Sequence, residues 1–170
     1  TVGELARLWN AEWKLGAQLQ VVPCGGWTRA MHWPDTGLPF VQTSPAINSY
    51  EAALTYPGVC LFEATNLSVG RGTPHSFQAI GAPWLNAAEV ARAFNKAALP
   101  GVCAEGTAFT PGLPPYANTP CSAIRLHVTE RRAFRPVRSG LHLLAETTAA
   151  HRQEFRWAHY PTAANPTGEG

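Results

Sequence analysis

Charge is scarce in this chain. Only 14% of its 170 residues are Asp, Glu, Lys or Arg, and no run of like charge exceeds Arg131-Arg132. That is no footprint for nucleic acid, which calls for a basic stripe to neutralise phosphates. Aspartate occurs once, at Asp35, and lysine twice, at Lys14 and Lys96. Apolar runs are short: none approaches the ~20 residues that span a bilayer, and the first residues do not read as a signal peptide. No C-x-x-C and no His pair at ligand spacing occur, which argues against a structural zinc site. The four cysteines, Cys24, Cys60, Cys103 and Cys121, are either buried free thiols or, in an exported protein, include one disulfide whose pairing spacing does not choose.

What remains is a loop-rich globular chain. A hydrophobic content of 45% in 170 residues suffices for one core. Gly and Pro number 15 each, rich for a domain yet aperiodic. Arginine carries nearly all the positive charge, so bidentate recognition of a carboxylate is one expectation, and a composition bias from high genomic G+C is the bland alternative.

Thr1-x-x-Glu4 is a capping box, followed by Val2, Leu5, Ala6, Trp9 and Trp13 at helical spacing. A chain that starts at a helix cap without an initiator Met is expected to be a piece of something longer. Leu19 to Pro23 and Val59 to Phe62 read as short buried strands. Between them, DTGLP, SP and YPG predict a long irregular loop with one helical turn near Tyr50 to Leu54. Asn86-x-x-Glu89 opens a second helix with Val90 and Phe94 on one face, stopped by Pro100-Gly101. Ser122 to Thr129 alternates as a strand, with Ile124, Leu126 and Val128 to one side and Arg125 and His127 to the other. A third helix is expected over about Val137 to Arg152. No repeat is visible. About three helices and several short mixed strands without strict βα alternation predict an α+β domain over residues 1–157, with residues 158–170 as an extended tail or linker.

The segment Tyr56 to Trp84, YPGVCLFEATNLSVGRGTPHSFQAIGAPW, closely resembles the central signature of the NamZ-like exo-β-N-acetylmuramidases. TVGELARLWN, VVPCGGWTRAMHWPDTGLPFVQTSPAIN, LPGV and HVTERRAFRPVRSGLHLL resemble the same family in the same order, so the likeness covers nearly the whole chain. It implies the C-terminal half of a two-part glycosidase, with a cleft completed by an N-terminal Rossmann-like domain. Such proteins release N-acetylmuramic acid from the non-reducing ends of peptidoglycan fragments. The expected location is therefore secreted, periplasmic or at the cell envelope. The family's Pro-Glu-His-Gly segment, whose Glu is the favoured catalytic acid, has no match here, so the isolated chain is expected to be inactive. Two departures stand out: Ala64 where the family usually has Gly, and Ser76-Phe77-Gln78 where it usually has Pro-Phe-Glu, which removes a carboxylate at Gln78.

Candidate site residues follow from chemistry. Glu63, expected at the end of a strand, can supply one of the two carboxylates a glycosidase uses, or it can pair with Arg71. Arg71, between two glycines, is expected to anchor the lactyl carboxylate that distinguishes muramic acid from glucosamine, with a loop staple as the alternative. The GRGT piece is no nucleotide loop, because His75 takes the place of the third glycine. Trp27 and Trp84 can stack on sugar faces beside Arg29 and Asn66. His127 is a further substrate-binding candidate, against a structural hydrogen-bonded histidine. No metal or organic cofactor is expected. Peptidoglycan fragments and the N-terminal domain are the expected partners, without nucleic acid or a membrane span. The rivals are a non-catalytic cell-wall sugar-binding module and a domain that only orients a catalytic half.

Overall fold

The computed structural model describes residues 1–159 and residue 166, so the expected tail lies almost entirely outside the described residues. The chain divides into two compact units, Thr1–Pro39 and Phe40–Gly170.

The first unit opens with α1 (Val2–Glu12), capped as its sequence predicts. The Thr1 hydroxyl accepts from the Glu4 amide, and the Glu4 side chain closes the box. Asn10 ties the exit of the helix with two bonds to Ala17, Nδ2 donating to its carbonyl at 2.9 Å and Oδ1 accepting from its amide at 3.0 Å. Trp9 and Trp13 stack at 5.7 Å. None of the α1 residues is buried, and Val2, Leu5, Leu8 and Trp9 stand exposed. Leu19 to Pro23 is not a strand: an apolar run forms one only where a partner strand accepts its amides. A 3₁₀ turn at Trp33–Thr36 ends at Gly37, whose φ of 69° is left-handed and suits glycine.

The second unit is α+β. Its elements run α2 (Tyr50–Val59), β1 (Ala79–Ala82), α3 (Ala87–Lys96), β2 (Val102–Phe109), β3 (Cys121–Val128) and α4 (Pro136–Ala150). The sheet is antiparallel in the order β1-β3-β2. Ile80, Ala104, Ile124 and Leu126 join Val90, Phe94 and Leu143 in one core. Each large apolar side chain buried there contributes about 1.5–3 kcal/mol. In α3, Asn86 Oδ1 accepts from the Glu89 amide. Glu89 returns the contact to the Asn86 side chain rather than its amide, while the Asn86 N–H donates to His151 Nε2 at 3.1 Å. Asn95, late in α3, stands beside β2 and takes both backbone groups of Ala104 at 2.8 Å, donating to the carbonyl and accepting from the amide.

Two further expectations are corrected. Tyr50 to Val59 is a ten-residue helix, not a single turn in a loop. It is capped by Ser49 Oγ at the Ala52 amide (3.1 Å) and carries Pro57 in its last turn. Residues Cys60–Ala64 continue it as a 3₁₀ turn, so Val59 to Phe62 is not a strand and Glu63 does not sit at a strand end. Helix α2 packs on α4 through glycines. An added Cβ on Gly58 would lie 2.8 Å from the Pro136 carbonyl carbon, and one on Gly140 would lie 2.6 Å from Gly58 Cα. The two backbones therefore touch where side chains would hold them apart.

Candidate functional site

The loop between the 3₁₀ turn and β1 builds the site. Gly70 and Gly72 have φ of 72° and 79°, and a Cβ on Gly72 would meet the backbone of Gly112 at 2.9 Å. Only glycine fits there. The loop then turns at Phe77, held at a φ of 56° by two bonds. Its amide donates to the Val69 carbonyl at 2.9 Å, and its carbonyl accepts from the buried Thr55 hydroxyl at 2.7 Å.

This scaffold aims Arg71 at Glu63. Arg71 Nη2 pairs with Glu63 Oε1, and Nε donates to the same oxygen at 3.1 Å. The guanidinium carbon lies 4.8 Å from the centre of the Phe77 ring, a cation–π distance. That ring meets Tyr56 edge-on at 4.8 Å. The Nε–Nη2 edge of Arg71, expected to hold a ligand carboxylate, thus holds Glu63. The pair is half-exposed, and Glu63 Oε2 has no hydrogen-bond partner among the described residues.

The remaining candidates fall in different places. Asn66 clamps the C-terminal segment: Nδ2 donates to the Glu154 carbonyl and Oδ1 accepts from the Arg156 amide, both at 2.9 Å. Its own amide donates to the Arg156 carbonyl at 3.0 Å. With both ends of the side chain engaged, Asn66→Ala is expected to cost about 1–3 kcal/mol of stability and to leave sugar affinity unchanged. Thermal melts paired with a binding titration check this, and a loss of affinity at full stability would reverse it. Trp84 donates from Nε1 to the Tyr116 hydroxyl at 3.0 Å and lies 5.2 Å from the His151 ring. His127 Nε2 pairs with Glu105 Oε2 at 2.8 Å. Trp27 and Arg29 belong to the first unit. There Arg29 Nη2 reaches both oxygens of Glu4, at 3.0 and 2.7 Å, and Trp27 borders a cleft of about 450 Å³ with Val21 and Val22.

Sequence reasoning missed a cluster on the open face of the sheet. Arg125 projects beside His127, and His75 and Gln78 approach from the loop, each 3.5 Å from a guanidinium nitrogen. Burial lowers the pKa of His75, and the charges of Arg125 and then His127 add to the effect. The alternation of β3 put Arg125 and His127 on one face; the approach of His75 is a matter of loop path, which no periodicity records. The four cysteines are free. Burial chiefly raises the thiol pKa of Cys60 and Cys121, which keeps both protonated and unreactive. Among the described residues, no group of three or more His, Cys, Asp or Glu gathers as it would around a metal ion, and no helix is long and apolar enough to cross a membrane.

This fold and loop are those of a known class of two-part proteins. Residues 54–168 match the family described as exo-beta-N-acetylmuramidase NamZ, C-terminal, and residues 1–51 match its N-terminal companion. The chain belongs to the NamZ family. It is 38% identical over 157 residues to the peptidoglycan beta-N-acetylmuramidase NamZ of Bacillus subtilis (strain 168), a match covering 92% of this chain and 38% of that protein. The crystal structure of a DUF1343 family protein from Bacteroides fragilis NCTC 9343 superposes with a TM-score of 0.80 at 29% identity, over 88% of this chain and 40% of that one. A second DUF1343 protein from the same strain gives 0.54 at 25% identity, over 88% and 45%. The chain therefore spans roughly two fifths of the length of these relatives.

Proposed function

We propose that this chain forms the C-terminal part, with the adjoining end of the N-terminal part, of a glycoside hydrolase that releases N-acetylmuramic acid from the non-reducing ends of peptidoglycan fragments. The observation that carries this is the 38% identity, across 92% of the chain, with a protein named for that activity. Glu63 is the carboxylate this chain contributes. Arg71 fixes one of its oxygens and leaves the other for a substrate hydroxyl or a water. Glycosidases of this kind use two carboxylates ~5–10 Å apart, and the second comes from the N-terminal domain. The match of residues 1–51 to the N-terminal family and the uncovered apolar stripe of α1 support a larger body on that side. The substrate is a cell-wall polymer, so the protein works outside the cytoplasm or at the cell envelope. The reaction needs no metal or organic cofactor.

The test is hydrolysis of a chromogenic N-acetylmuraminide by the protein at its natural length. Release of chromophore is expected, whereas the 170 residues alone are expected to fold and remain inactive. Binding of muropeptides without any turnover at natural length would instead establish a sugar-binding module.

A further inference from the structure

Helix α4 buries one side and leaves a second apolar side in solvent. Ser139, Gly140, Leu143 and Thr147 make the buried side. Arg138, His142 and Glu146 recur every fourth residue and form a polar stripe beside it. On the remaining side Val137 and Leu141, 50% and 52% exposed, continue through Leu144 and Ala145, where a surface helix ordinarily carries charged residues. The C-terminal segment raises a wall along this side. Trp157, 60% exposed, meets the buried Phe155 ring edge-on at 5.3 Å. Between helix and wall runs a groove of about 630 Å³ bordered by Leu141, Leu144, Ala145, Thr148, Arg152 and Trp157. A sugar would find little to hold there, because small-molecule sites need convergent polar groups and the Thr148 hydroxyl already donates to the Leu144 carbonyl at 2.6 Å. Exposed Trp and Arg around aliphatic side chains are the composition of a protein interface.

The wall of the groove leads to Glu63. Trp157 pairs in an isolated bridge with Thr65, and the Ala158 amide donates at 2.8 Å to the carbonyl of Ala64, the chain neighbour of Glu63. Helix α4 packs against the same 3₁₀ turn, Cys60–Ala64. We propose that this groove seats the N-terminal domain of the natural-length protein, through residues that the relatives carry beyond the two fifths of their length spanned here. The proposal rests on the muramidase function given above, in which that domain supplies the second carboxylate. A carboxylate held ~5–10 Å from Glu63 belongs to a body that stands at the 3₁₀ turn, and a body standing there meets Trp157 and the outer side of α4. Docking on α4 covers the apolar side and fixes the separation of the two acids. The groove is thus an interface that completes the site, not a subsite for the glycan.

The experiment follows maleimide labelling of the natural-length protein, read position by position by mass spectrometry. Ala145→Cys reports the groove, and Arg92→Cys on α3 is the comparator, both native residues being exposed here. The thiol of Ala145→Cys should label at least about tenfold more slowly than that of Arg92→Cys, as a place reached only when an interface opens does, and at every protein concentration. Leu141→Asp combined with Ala145→Cys should abolish that protection. By itself Leu141→Asp should lower kcat on a muraminide at least about tenfold, because the second carboxylate is no longer held against Glu63, while Leu141→Met should keep both properties. Trp157→Ala, on the opposite wall, repeats the test if Leu141→Asp does not fold. Equal labelling at the two positions would overturn the proposal, and protection that vanishes on dilution would replace the N-terminal domain with a second copy. Protection lost with kcat intact would remove the link to Glu63. Failure of the wild type to hydrolyse muraminides overturns the muramidase reading instead, since labelling reports the groove without any turnover.

Discussion

Replacing Gly140 with alanine is expected to lower the thermal midpoint by roughly 6–12 °C. Its new methyl would sit 2.6 Å from Gly58 Cα, and what it meets is backbone at the crossing of α2 and α4. Neither helix can yield locally, since Ala52, Thr55 and Val59 of α2 and Leu143 and Thr147 of α4 are buried. Overpacking of this kind costs up to about 3 kcal/mol or more, and each kcal/mol moves the midpoint by about 2–4 °C in a protein of this size. Gly58→Ala should do the same through Pro136. Gly25→Ala is the control: nothing lies within 4 Å of the added methyl, so its effect should stay within about 0.5 kcal/mol. Equal melts for Gly140→Ala and Gly25→Ala would show that the helices do not touch through these residues.

The largest effect on turnover is expected at Glu63. In the natural-length protein Glu63→Gln should lower kcat by at least about tenfold, the low end for a group that moves or positions a proton. Because Arg71 is bound to Glu63, its loss should act through that carboxylate. Arg71→Ala is then expected to lower kcat by a similar factor while leaving the ratio of muraminide to glucosaminide hydrolysis unchanged. The double variant should be little worse than Glu63→Gln alone, a non-additivity typical of groups that act as one unit. Losses that multiply would separate the two residues, and a changed ratio would return the selectivity role to Arg71.

Much of this arrangement was legible where local chemistry decides it. Thr1 and Glu4, Asn86 and Glu89 mark helix starts because short polar side chains capture free amides there, and the alternation around Ile124 and Leu126 marks β3. Helix α2 was hidden because Pro57 and Gly58 look like a stop signal. Pro57 in fact falls inside the last turn, and Gly58 is present for α4 rather than for a bend. Val59 to Phe62 looked like a strand because a short apolar run is buried equally well by either conformation. β1 and β2 went unrecognised because Ala and Gly give no periodic contrast. The Glu63–Arg71 pair was foreseen as one of two alternatives. The approach of His75 and Gln78 to Arg125 joins residues some fifty positions apart, a distance over which only the folded path decides.

Strand β2 lies at the end of the sheet order, and such a strand offers open amides and carbonyls to any neighbouring chain. The Asn95 side chain fills one of these positions by imitating a peptide unit, donating to and accepting from Ala104 as a further strand would. Because Asn95 is fixed on a helix, the imitation cannot propagate. The protein thereby closes one position of this border with a single amide, and another copy that would pair along β2 must displace Asn95 from Ala104 before it can do so.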